Sequence, residues 1–122
     1  MKKVWIGGGV LLATAFLAYP QADDPLDSLR VCKDTQKLVL ENAFVRVIED
    51  RIPVGVTEPR HSHRHGVVVY LSDSISEIID DKNQKTVNQR RASTAGWSEA
   101  TVHTVKNAGA TEFHAMRIEL KF

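Results

Sequence analysis

The stretch of sequence that decides the fold runs from residue 55 to residue 65 and reads GVTEPRHSHRH. It places His61, His63 and His65 at every second position, and residues two apart on an extended strand point to the same face. Neutral imidazole is the commonest side-chain ligand of protein-bound metals, because one ring nitrogen binds the ion while the other holds a hydrogen bond. The spacing is therefore typical of a metal site, although a polar loop with solvated histidines would show the same pattern.

The residues around this stretch favour β-strands, and nothing from residue 36 onward sustains an amphipathic helix longer than two turns. Strand patterns occur at 37–40, 44–52, 65–71, 75–79, 86–91, 101–105 and 112–122, and turns are expected at 80–83, near Gly96 and at 107–109. Many short strands joined by turns predict an all-β sandwich or barrel. On the last strand, His114 shares a face with Met116 and Ile118, and we expect this apolar face to point into the barrel.

Two short motifs in this sequence resemble those of the cupin superfamily. Gly55 is followed by five residues and then by His61-Ser62-His63, and further along the chain His103 is followed by three residues and Asn107. The segment 64–102 between them suits the hairpins of a small single-domain cupin. The resemblance implies an all-β cupin double-stranded β-helix, a small antiparallel jelly-roll barrel with the site in its mouth. It also implies a homodimer in which the N-terminal strand is exchanged.

The same resemblance implies a metal site formed by His61, His63 and His103. The glutamate that the first motif normally carries would fall at residue 67 or 68, and both are valine, so the expected set contains no carboxylate. Three histidines leave open positions on Fe(II), which we favour as the cofactor, or a water on zinc, while manganese, nickel and copper stay open. His65 and His114 are candidates for an additional ligand or for a hydrogen-bonding partner of the ligands.

Three functions fit a three-histidine site in a small barrel that takes a small-molecule ligand or substrate. The first is an Fe(II)-dependent dioxygenase acting on catechol-like or enolate-like molecules, with catalytic side chains unknown. The second is a non-catalytic protein that binds or senses a metal or a small ligand, suggested by the lack of a recognisable acid–base pair. The third is a zinc-type hydrolase or isomerase that uses a metal-bound water.

The first 22 residues differ from the rest of the chain. Lys2 and Lys3 precede an uncharged segment, 4–19, and this order is typical of a secretory signal peptide, with an uncleaved anchor as the alternative. We therefore expect a periplasmic or secreted protein with a signal at 1–22, a polar leader at 23–36 and the cupin barrel at 37–122. The chain spans a membrane only if the signal is uncleaved.

Composition excludes several other classes of protein. Sixteen Lys and Arg against fifteen Asp and Glu give a formal net charge of +1, which argues against a nucleic-acid partner. The single cysteine, Cys32, excludes an intrachain disulfide and a zinc site with several thiolates, and we interpret it as a free or buried thiol.

Overall fold

Two antiparallel β-sheets make up nearly all of the computed structural model, which describes residues 23–122. The elements are a single-turn helix, α1 (Ser28–Val31), and the strands β1 (Gln36–Glu41), β2 (Val45–Ile52), β3 (Thr57–His63), β4 (Gly66–Tyr70), β5 (Ser74–Asp80), β6 (Lys85–Arg90), β7 (Thr94–Ser98), β8 (Thr101–Asn107) and β9 (Phe113–Leu120). One sheet has the strand order β1-β2-β9-β4-β7, and the other has the order β3-β8-β5-β6. The predicted all-β antiparallel architecture is confirmed, while the predicted signal or anchor at 1–22 lies outside the described residues.

The apolar core lies between the two sheets and is small. Ile52, Phe113 and Ala115 come from the five-stranded sheet, and Val105 joins them from β8 of the other sheet. Burial of these side chains away from water is the main favourable contribution to holding the sheets together. Val68, Tyr70 and Ile78 pack against this core, and several polar and charged side chains are also buried, so the interior of this barrel is suited to a site.

Two strands were missing from the sequence prediction, and both contain residues that disfavour regular strands. In β3, Pro59 lies where the pairing with β8 shifts register between Glu58 and His61, a bulge that accommodates a residue without a backbone N–H. In β7, Gly96 pairs with Val68 within the sheet instead of forming the predicted turn. The histidine pair 61 and 63 is therefore carried by a strand, and not by a loop.

The prediction for the inward face of the last strand is wrong. In β9 the buried positions are Phe113, Ala115, Arg117 and Glu119, and the face that carries His114 is only half-buried. His114 Nε2 lies 2.8 Å from Glu49 Oε2, on the face of the sheet away from the barrel interior. The apolar pattern predicted the wrong face of β9, because the inward face carries two charged residues. These form hydrogen bonds with charged or polar groups inside the barrel.

The leader segment at 23–36 packs against the barrel instead of extending from it. The backbone N–H of Ser62 donates to Leu26 O at 2.7 Å, and Asp27 forms a parallel bridge with Ser62. Cys32 is 2% exposed and unpaired, and burial raises the pKa of its thiol. The segment therefore holds β3 at the residue that separates His61 from His63. Over residues 23–122, no helix is long and apolar enough to cross a bilayer.

Candidate metal centre

Three imidazoles meet on the inner side of the β3–β8 sheet. His61 pairs directly with His103 across the two strands, and His63 follows two residues later on the same face of β3. The ring centroids are 4.7 to 5.6 Å apart, and one ligand nitrogen from each ring lies within 4.8 Å of the other two. The structure thus brings together the three histidines that the sequence singled out as a metal set.

Hydrogen bonds on the far sides of two rings fix which nitrogen faces the centre. His61 Nδ1 donates to the backbone oxygen of Pro59 at 2.7 Å, and His63 Nδ1 donates to Glu119 Oε2 at 2.7 Å. In a neutral imidazole this leaves the Nε2 lone pair free. Nε2 of His61 and Nε2 of His103 are buried and have no hydrogen-bond partner anywhere in the described part of the chain. Buried unpaired nitrogens of this kind are costly, and a divalent cation would satisfy them, so the residues fit a metal ion.

The charge state of the histidines suits the same role. Burial, Arg117 and the neighbouring histidines lower the pKa of His63 well below its usual range. Burial, His61 and Arg117 lower the pKa of His103 to about 3. Both rings therefore stay neutral near pH 7, and a metal ion does not have to displace protons from them.

A buried chain of charged side chains supports His63, and the sequence analysis missed it. Glu119 uses Oε2 for His63 and Oε1 for the Nε of Arg46, at 3.1 Å. Arg46 in turn binds both carboxylate oxygens of Asp27, which belongs to the leader segment. A carboxylate bonded to the rear nitrogen of a metal-binding histidine orients the ring and makes it a stronger donor. Arg117 and Glu119 continue the alternate positions of Phe113 and Ala115 along the last strand. Two charged residues on the same face as two apolar ones were the signal that could have revealed this network.

The other two candidate histidines stand apart from this group. His65 lies beyond the end of β3, so the prediction that it shares a strand face with His61 and His63 is wrong. Its Nε2 is 2.6 Å from the backbone oxygen of Phe122, and its ring stacks on Trp97 with centroids 5.8 Å apart. His114 pairs with Glu49 as described above. Neither residue belongs to the cluster of three imidazoles.

A cavity of about 370 Å³ opens beside the three imidazoles. Its wall includes two carboxyl groups, Asp50 on β2 and Glu58 on β3, which sequence reasoning did not place together. Burial and the nearby, hydrogen-bonded Glu58 carboxylate raise the pKa of Asp50 well above its usual range. Glu58 Oε1 lies 3.8 Å from His61 Nε2 and accepts hydrogen bonds from Thr35 and Gln36. The site therefore combines a metal-binding group with a carboxyl pair.

No family model matches this sequence, and no curated protein matches it. Several solved structures do match this chain. A cupin domain from Bordetella pertussis Tohama I is 26% identical with a TM-score of 0.66, over 71% of this chain and 92% of that one. An RmlC-like cupin family protein with a double-stranded β-helix fold from Methanocaldococcus jannaschii has a TM-score of 0.57 at 8% identity, over 70% of this chain and 77% of its own.

A third structure, a cupin superfamily protein from Desulfitobacterium hafniense DCB-2, has a TM-score of 0.52 at 14% identity. That match covers 70% of this chain and 74% of the other. At 8% and 14% identity the last two matches bear on the fold alone. All three agree with the double-stranded β-helix that the two sequence motifs imply.

Proposed function

We propose that this chain, which belongs to the cupin superfamily, binds one divalent metal ion through His61, His63 and His103 and acts on a small molecule beside it. The observation that carries the proposal is that the Nε2 atoms of His61 and His103 are buried and have no hydrogen-bond partner among the described residues. They lie beside the imidazole of His63, whose Nδ1 donates a hydrogen bond to Glu119. Three neutral imidazoles leave the full charge of the cation in place and leave coordination positions open.

The finer proposal is an Fe(II)-dependent dioxygenase. Bound Fe(II) would supply open positions for O₂ and for an oxygen atom of the substrate. The protein contributes the cavity, the orientation of the imidazoles, and the Asp50–Glu58 pair, in which burial and the neighbouring carboxylate raise the pKa of Asp50. A buried carboxyl pair in the wall of the cavity favours catalysis over simple binding, because carboxyl groups with perturbed pKa values are suited to proton transfer.

The experiment that tests this function is elemental analysis of the protein purified from the periplasmic fraction of its native host, followed by O₂ uptake measurements. We expect about one iron ion per chain, recovery from the exported fraction, and O₂ consumption with at least one member of a panel of catechols and enolisable carbonyl compounds. Zinc in place of iron would favour a hydrolase or isomerase, and tight ligand binding without turnover would favour a sensing protein.

A second copy of this chain is the proposed partner at the outer edge of the five-stranded sheet. The edge strand β1 carries Leu38, Val39 and Leu40, and these side chains are 43 to 51% exposed, with Phe44 next to them at 54%. An open apolar edge strand favours pairing with another strand. We expect the wild-type protein to sediment as a dimer and Val39→Lys to sediment as a monomer. A monomeric wild-type protein would contradict this.

A further inference from the structure

Building on the proposed metal site, we propose that the cavity takes a small organic acid, bound as a monoanion whose carboxylate is held by Arg117. Arg117 lies on the inward face of β9, lines the cavity and is 8% exposed. It is not adjacent in sequence to the histidines, and neither of the arginines that flank them, Arg60 and Arg64, lines this cavity.

The hydrogen bonds of Arg117 go to neutral acceptors, and its ion-pair partner Glu119 is not in hydrogen-bond contact with it. Its Nη2 donates to Ser98 Oγ and to the backbone oxygen of Arg64, both at 3.0 Å and both neutral acceptors. Its Nε has no hydrogen-bond partner within residues 23–122, and the oxygen of Glu119 lies 3.8 Å away, beyond hydrogen-bond distance. Burial lowers the pKa of Arg117 to about 10, which still leaves the guanidinium charged at pH 7.

Glu119 is oriented by two other partners and approaches Arg117 Nε only to 3.8 Å. Oε2 accepts from His63 and Oε1 accepts from Arg46. A buried guanidinium normally pairs with a carboxylate in good hydrogen-bond geometry, since burying an incompletely paired charge is costly. A carboxylate supplied by a ligand would meet this need at Arg117.

Arg117 and the imidazoles are close enough to act on one small molecule. Arg117, His63 and His103 all line the same cavity of about 370 Å³. Val68, Phe113 and Ala115 provide an apolar part of the wall. A compact acid with a carboxylate at one end and a metal-binding oxygen at the other fits this arrangement.

The site favours a single carboxylate on the ligand. Arg117 lines the cavity, is buried, and has no hydrogen-bonded carboxylate among the described residues. One ligand carboxylate would complete its pairing, whereas a neutral molecule would leave a buried charge incompletely paired.

The test compares lactate with lactamide, two probes of similar shape that differ by one charge, using the full-length protein with zinc and without metal. Binding is followed by tryptophan fluorescence, because Trp97 lines the cavity, and Trp97→Phe identifies the reporter. We expect lactate to bind about tenfold or more tightly than lactamide, the effect of a charge-assisted hydrogen bond. Arg117→Gln should reduce lactate binding to the lactamide level, and Arg117→Lys should restore part of the preference.

Arg60→Gln is the matched control, since it makes the same change at an exposed arginine that does not line the cavity. It should retain the preference for lactate. Equal binding of the two probes by the wild-type protein, or a preference that survives in Arg117→Gln, would overturn the proposal, as would the absence of lactate binding in both metal states. Metal content is measured separately. If the protein holds no metal and still prefers lactate through Arg117, the acid site is supported and the metal proposal fails.

Discussion

His61→Ala and His103→Ala are each expected to abolish stoichiometric metal binding, with metal content falling from about one ion per chain to background. Each substitution removes one of three nitrogen ligands, and two ligands do not hold a divalent ion against a competing chelator. Metal content after dialysis, together with displacement by a chromogenic chelator, measures the effect. The two nitrogens at issue are buried, so their removal also takes away an unsatisfied polar atom from the apo protein.

His114→Ala and His65→Ala are the matched controls for this prediction. Both remove an imidazole from the same barrel, but His114 pairs with Glu49 on the outer face and His65 binds the backbone of Phe122. Both variants should keep the metal. Metal loss in His114→Ala with retention in His103→Ala would refute the ligand assignment, and circular dichroism of each variant separates loss of the site from loss of the fold.

The all-β class could be predicted from sequence because strand patterns are local and periodic. The cupin barrel, and the grouping of His103 with His61 and His63, were implied by the resemblance of two short motifs to those of the superfamily. The missing parts, in contrast, depend on distant pairings. Pro59 and Gly96 obscured β3 and β7, since a bulge and a pairing partner decide whether such residues are tolerated in a strand.

The partners of the residues that support the site were not predicted, for a related reason. Asp50 and Glu58 meet only because β2 and β3, in different sheets, face one cavity. The inward face of β9 was misassigned because an apolar side chain is the usual sign of an interior, and here Arg117 and Glu119 occupy it. The burial of Glu119 is explained by its partners Arg46 and His63, 73 and 56 residues away along the chain, and no periodicity reveals such a pairing.

Glu119→Gln is expected to weaken metal binding by about 10- to 100-fold while leaving all three imidazoles in place. The glutamine amide keeps the volume and can still accept a hydrogen bond from His63 Nδ1, so the loss reports the negative charge that strengthens His63 as a donor. The same change removes the anion from Arg46, whose remaining carboxylate partner is Asp27. Because Arg46 stays paired with Asp27, the cost is that of one lost buried charge-assisted contact, and we expect the metal-free protein to lose about 1–3 kcal/mol of unfolding free energy.

Two comparisons separate a positioning role of Glu119 from a purely structural one. Asp27→Asn breaks the far end of the same chain of charges, so it should lower the stability in urea while changing the metal affinity much less. Glu41→Gln removes an exposed pair with Lys121 and should cost about 0–1 kcal/mol with no effect on metal binding. If Glu119→Gln binds metal as tightly as the wild-type protein, the carboxylate serves only to neutralise Arg46. If Asp27→Asn weakens metal binding as much as Glu119→Gln, the leader segment and not the Glu119 charge sets the geometry of His63.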